Sequence, residues 1–166
     1  MNTPESFHIS DAEMMVDLGA TLGRHVFAGA IIGLMGPLGA GKTTLVRGVA
    51  SGMELKKGFV VSSPTYTILQ SYPCREMELF HLDLYRVTGR EDLDSTGYRD
   101  ALHDESVLII EWIDREPDAL PEENLQISLE YSDDGRKATF LPTGEAYESL
   151  ATEVLNDFKG RQTSSI

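Results

Sequence analysis

The stretch that decides the fold is Ala30-Ile31-Ile32-Gly33-Leu34-Met35-Gly36-Pro37-Leu38-Gly39-Ala40-Gly41-Lys42-Thr43. Its first six residues form a continuous apolar run, too short for a buried helix and suited to a strand covered on both faces. Residues 36–41 form a loop, and residues 42–51 predict a helix that buries Leu45, Val46 and Val49 until Gly52 stops it. A buried strand that runs through a glycine loop into a helix predicts an α/β fold with this strand in the middle of the sheet.

Outward from this unit, Ser10-Asp11-Ala12-Glu13 reads as a capping box, and Met15, Leu18, Leu22 and Val26 follow at helical spacing. Downstream, residues 65–71 and 77–85 predict strands, and alternation in the second points His81 and Asp83 to one face. A polar helical stretch spans residues 90–102, and residues 107–112 form another short buried run. Residues 125–131 and 137–141 flank Asp133-Asp134-Gly135, whose Asp-Gly pair suits a hairpin loop and adds an antiparallel edge on the C-terminal side. Tyr147, Leu150, Ala151, Val154, Leu155 and Phe158 mark one face of a final helix, more often core than docking surface. These elements predict one domain over residues 1–160, with a flexible tail over residues 161–166.

Composition narrows the function. With 41% hydrophobic and 25% charged residues the chain is ordinary globular material, not a disordered segment. A net charge of −13 makes the average surface repel phosphate backbones and anionic lipid, which argues against a stand-alone nucleic-acid binder. The single cysteine, Cys74, forms no internal disulfide and, with four scattered histidines, assembles no zinc cluster. No basic leader precedes an apolar stretch and no run spans a bilayer, so no membrane role and a cytoplasmic location are expected.

Residues 36–43 fit G-x-x-x-x-G-K-[ST], a string that a chain of this size matches by chance on the order of a few times in ten thousand. Glycines let such a loop form a concave nest, so the amides of Gly39, Ala40, Gly41, Lys42 and Thr43 point at phosphate oxygens at the positive end of a helix dipole. Lys42 is placed to bridge the β- and γ-phosphates of a nucleotide, and the Thr43 hydroxyl to hold Mg²⁺. Leu38 and Thr44 complete the predicted loop contacts. Two carboxylates at strand ends are candidates for the metal or the attacking water. Glu111 ends the apolar run from Val107, and Asp83 ends the strand from Met77; the residues alone leave open which does which. Thr65, in Ser63-Pro64-Thr65-Tyr66-Thr67, sits where nucleotide switches place a hydroxyl that senses the γ-phosphate. His81 reads as a strand residue hydrogen-bonded near the site, since no third metal ligand is evident. Trp112 packs at the strand end, with a second role against nucleotide or a partner open to it. Asp94-Ser95-Thr96-Gly97 formally matches a GTPase string, but it follows no apolar strand and no guanine-reading motif accompanies it.

Four ordered segments together carry a family resemblance: Gly-Pro-Leu-Gly-Ala-Gly-Lys-Thr-Thr at 36–44, Ser-Pro-Thr-Tyr-Thr at 63–67, His-Leu-Asp-Leu-Tyr-Arg at 81–86, and Ile110-Glu111-Trp112. The chain resembles the TsaE (YjeE) family, P-loop ATPases that take part in forming N6-threonylcarbamoyladenosine at position 37 of tRNA. The resemblance implies a P-loop NTPase-like mixed sheet flanked by helices, with ATP and Mg²⁺ as cofactors. Carried over by motif, Lys42 and Thr43 contact phosphate and metal, Thr65 acts as a switch residue, and Asp83 and Glu111 work on metal or water. It also places Arg136 of the Gly135-Arg136 pair at the nucleotide and residues 10–12, Ala12 among them, near the base. It implies TsaD- and TsaB-like partners, with tRNA reached only through them and turnover slow until they stimulate it. Pro37 stands where the family usually has an acidic residue, Leu82 where it has Phe, and Ile113 where Pro is common. Two other classes compatible with the loop are a small-molecule kinase, for which Arg86, Arg90 and Arg99 would have to form the lid, and an ATP-sensing module that does not hydrolyse.

Overall fold

The structure, a computed structural model, describes residues 4–63 and 68–164. The nucleus read from the sequence is present as strand β2 (Ile31–Met35), a glycine loop and helix α2 (Lys42–Gly52). Around it stand β1 (Glu5–Ile9), α1 (Ala12–His25), β3 (Leu69–Pro73), β4 (Glu78–Asp83), α3 (Arg90–Ser95), β5 (Ser106–Glu111), β6 (Asn124–Ser132), β7 (Gly135–Thr143) and α4 (Glu145–Ser164). The strands form one mixed sheet in the order β1-β7-β6-β2-β5-β4-β3. β6, β2, β5 and β4 run parallel in the centre, while β7 and β1 on one side and β3 on the other pair antiparallel. The expected α/β class and the C-terminal hairpin are both observed.

Alternation along the strands sends their apolar residues to two cores. Ile32, Leu34, Val107, Ile109, Leu125 and Ile127 face α1, α2 and α4, while Leu82, Leu108 and Ile110 face α3 and short 3-10 turns at Tyr98–Ala101, Ile113–Arg115 and Pro117–Ala119. Helices α1 and α2 approach almost backbone to backbone. A Cβ on Gly48 would lie 2.4 Å from the Val16 carbonyl oxygen, and one on Gly52 would lie 2.1 Å from that of Ala20. Only hydrogen fits there, so the helix that follows the glycine loop is locked to its neighbour.

Several boundaries differ from the sequence reading. Asp11, not Ser10, caps α1, its carboxylate accepting the Met14 amide at 2.8 Å, while the Ser10 hydroxyl turns to the Met14 sulfur. The helix predicted over residues 90–102 is broken where Gly97 takes φ 80°, giving α3 and then a 3-10 turn. α4 continues through residues 161–164, assigned above to a tail; residues 165 and 166 lie outside the described residues. Strand β1 has no counterpart in the sequence reading. Among the described residues no helix is long and apolar enough to cross a membrane.

Candidate functional site

The loop after β2 owes its shape to backbone dihedrals that favour glycine: Gly39 has φ 78° and Gly41, which opens α2, has φ 109°. The Ala40 amide closes a turn on the Pro37 carbonyl, and among the described residues no side chain caps the N-terminus of α2. A helix start left uncapped presents its first amides and its positive dipole end to whatever occupies the loop.

A hollow of about 370 Å³ opens beside this loop, walled by Lys42 and Thr43 from α2 and by Asp83 and Glu111 from the sheet, with Trp112 and Arg86 at its rim. The register explains the convergence. β4 and β5 are parallel with Asp83 opposite Glu111, so both carboxylates end adjacent strands on the α2 side of the sheet. The Thr43 hydroxyl donates to Glu111, 3.0 Å from Oε2 and 3.2 Å from Oε1. His81, on the same face of β4, places Nε2 2.5 Å from Glu111 Oε2. Asp83 accepts the Tyr85 amide at 2.8 Å and lies 3.5 Å from the Ser63 hydroxyl.

The Lys42 ammonium turns back on its own loop, donating to the carbonyls of Gly36 at 2.5 Å and Pro37 at 2.9 Å, and lies 3.8 Å from the centre of the Trp112 ring. Burial pushes this ammonium below the ordinary lysine range, against the opposing pull of Glu111, Asp114 and Asp83. Burial likewise raises the Asp83 carboxyl, an effect the Tyr85 amide counters and the Glu111 charge reinforces. Trp112 has a left-handed backbone, φ 60°, which turns the chain sharply away after Glu111 and lays the indole across the hollow. Its ring centre is 5.0 Å from that of Tyr85.

A second hollow, of about 320 Å³, lies across the loop and shares Gly39, Gly41 and Thr44 with the first. Ala12, Ala40, Met15 and Arg136 line it, so α1 and the β6–β7 hairpin meet the loop's outer side. Arg136 donates to the Gly39 carbonyl at 3.3 Å and stacks its guanidinium 4.3 Å from the centre of Tyr131, whose hydroxyl donates to the Leu38 carbonyl at 2.5 Å.

The structure thus brings Leu38, Gly39, Gly41, Lys42, Thr43, Thr44, Asp83 and Glu111 around one hollow, with Ala12, Ala40 and Arg136 around its neighbour. Thr65 lies outside the described residues. Of the three lid arginines, only Arg86 reaches the hollow; Arg90 pairs with Asp118 at 4.0 Å and Arg99 with Asp94 at 3.1 Å. Sequence reasoning missed Tyr131, whose one signal was its place beside the hairpin turn, directly opposite Arg136 in the ladder.

The donor set suits a hard cation bound together with a phosphate. No group of three or more His, Cys, Asp or Glu side chains among the described residues forms a metal cage. One hydroxyl and one or two carboxylates match a magnesium ion that takes its remaining ligands from phosphate and water.

Comparison with known proteins follows the same lines. Residues 9–138 match the family model described as threonylcarbamoyl adenosine biosynthesis protein TsaE. A Bacillus subtilis protein named tRNA threonylcarbamoyladenosine biosynthesis protein TsaE is 36% identical over 127 residues, covering 76% of this chain and 78% of that protein. A Haemophilus influenzae protein of the same name is 34% identical over 134 residues, covering 81% of each. The crystal structure of Bacillus subtilis YdiB superposes with a TM-score of 0.78 at 30% identity, covering 95% of this chain and 97% of that one.

Proposed function

Because the chain belongs to the TsaE family, whose members are named for tRNA threonylcarbamoyladenosine biosynthesis, we propose that it is a Mg²⁺-dependent ATPase subunit of that process. The observation that carries this reading is the uncapped start of α2 facing the Thr43 hydroxyl and the Asp83–Glu111 pair within one hollow. In it, the loop amides and Lys42 bind the phosphates, with Lys42 leaving the Gly36 and Pro37 carbonyls to do so. Thr43, with Asp83 or Glu111, would hold the metal. A Mg²⁺ ion held there would supply positive charge beside the phosphates of the nucleotide. The other carboxylate orients the water whose oxygen bonds to the γ-phosphorus as the bond to ADP breaks. Ala12 and Arg136 line the side toward the base. Thr65 senses the γ-phosphate.

The partners in this reading are TsaD- and TsaB-like proteins, and tRNA is met only through them. The net charge of −13 supports that division, since an acidic subunit grips RNA poorly by itself. No long apolar helix is present among the described residues, and a cytoplasmic site of action accords with the single unpaired cysteine.

The test is phosphate release from Mg²⁺-ATP by the purified protein, with and without TsaB and TsaD homologues. Slow release that the partners accelerate is the expected result. Rapid phosphorylation of an added metabolite identifies a kinase instead, and tight binding without release identifies a nucleotide sensor. Lys42→Ala abolishes nucleotide binding by calorimetry. Unchanged turnover in Glu111→Gln removes that carboxylate from the mechanism.

A further inference from the structure

Glu111 is buried to within 2% of full enclosure, on a side chain with several rotatable bonds, yet its carboxylate has to face the hollow with one fixed edge. Among the described residues, two side-chain donors converge on it. Thr43 belongs to the phosphate side of the site and is shared with the substrate in the reading above. The other donor is His81, fully buried on β4 and 2.5 Å from Glu111 Oε2 through Nε2. The second ring nitrogen of His81, Nδ1, is buried with no hydrogen-bond partner among the described residues. A carboxylate oxygen accepts, so a hydrogen bond from the ring to Glu111 requires a proton on Nε2, while Nδ1 has no acceptor for one among the described residues. The opposite tautomer would bury an unsatisfied N–H and set the Nε2 lone pair against the carboxylate oxygen, the costlier arrangement.

We propose that His81 is a positioning residue for Glu111: its Nε2–H fixes the carboxylate rotamer while Thr43 is engaged with substrate, so that Glu111 Oε1 stays aimed into the hollow throughout turnover. The proposal rests on the ATPase reading, but its outcome separates from it. His81 is fully buried and is not among the residues that wall the hollow, so its loss acts on the rate of the chemical step through Glu111.

The experiment compares three substitutions in the full chain, assayed with the TsaB and TsaD homologues for partner-stimulated phosphate release and by calorimetry for nucleotide affinity. His81→Phe keeps the ring and removes the donor; kcat falls about 30-fold with KM and nucleotide affinity within about two-fold, in the range seen when outer-shell partners of a site are removed. His81→Gln, whose amide nitrogen reaches the place of Nε2, restores most of the rate. His81→Asn, whose amide nitrogen reaches only the place of Nδ1, does not. If His81→Phe fails to fold, the contrast between Gln and Asn decides. In the free protein, imidazole ¹⁵N spectra show the His81 proton on Nε2.

A folded His81→Phe with wild-type kcat, equal rates for Gln and Asn, a loss confined to KM, or the proton on Nδ1 would each overturn the proposal while leaving the ATPase reading standing. A wild-type protein that releases no phosphate under any condition overturns both.

Discussion

The two faces of the sheet are built differently. One carries α1, α2 and α4 over a core running from Ile9 to Phe158, whereas the other, among the described residues, is covered by α3 and short 3-10 turns. On the first face the glycine contacts between α1 and α2 leave no room for rearrangement. On the second, the segments after β4 and β5 turn within a few residues and carry Tyr85, Arg86 and Trp112 to the rim of the hollow. The glycine loop therefore rests on the stiffly packed side, while the rim of the hollow is carried by the thinly covered side. A site whose charges must be fixed and whose mouth must admit a substrate needs that asymmetry.

The comparison breaks most sharply at Gly48. Alanine is the better helix former by about 1 kcal/mol. Here the added methyl would overlap the Val16 carbonyl, so Gly48→Ala should instead cost about 3 kcal/mol or more in urea unfolding. Stabilisation would mean that the two helices separate freely. A matched pair of truncations sharpens the contrast between the faces. Leu22→Ala on the helix-clad side should cost about 3–4 kcal/mol, and Leu93→Ala in α3 about 2, because the thinner layer collapses more readily onto a cavity. Equal shifts of the denaturation midpoint would erase the distinction.

Lys42 tests the loop between them. Its folded pKa is depressed by burial, so its charge opposes folding; that penalty is full below the folded pKa and fades as pH rises through it toward 10.5. Lys42→Met should accordingly raise the Tm of the nucleotide-free protein by about 2 °C or less at neutral pH, flatten its alkaline rise in stability, and abolish nucleotide binding. A lower Tm would show that the ammonium's bonds to Gly36 and Pro37 outweigh its burial.

The smallest effect belongs to the outer seam of the helix-clad face, where His25 Nε2 lies 2.9 Å from Asp157. Hydrogen bonds from His25 and then Arg161 hold the Asp157 carboxyl below its usual range. The stability this adds is present above the unfolded carboxyl value and is lost as pH falls through the folded one. Asp157→Asn should cost under about 1 kcal/mol at pH 7, since the pair is partly solvated, and the gap to wild type should narrow in thermal melts as pH falls below the ordinary carboxylate range.

Those contrasts were legible in the sequence to the extent that they are local. The path from β2 through the loop to α2 is written in adjacent residues, and alternation alone puts His81 and Asp83 on one face. That Glu111 joins them depends on the parallel register of β4 with β5, which no local pattern encodes. β1 escaped notice because it is five residues long and its partner, β7, lies about 130 residues away; Phe7 and Ile9 were its only apolar signal. The break at Gly97 and the capping by Asp11 were backbone choices that a periodic pattern does not resolve. Tyr131 acquires its part only once the hairpin folds over Leu38.

Trp112 is the sole tryptophan of the chain, and the ammonium of Lys42 lies against its π face. Any ligand that draws the lysine away changes the electric field at that indole and therefore its emission, so the protein carries an intrinsic optical gauge of loop occupancy. Excitation near 295 nm would record loading and unloading in real time without a label.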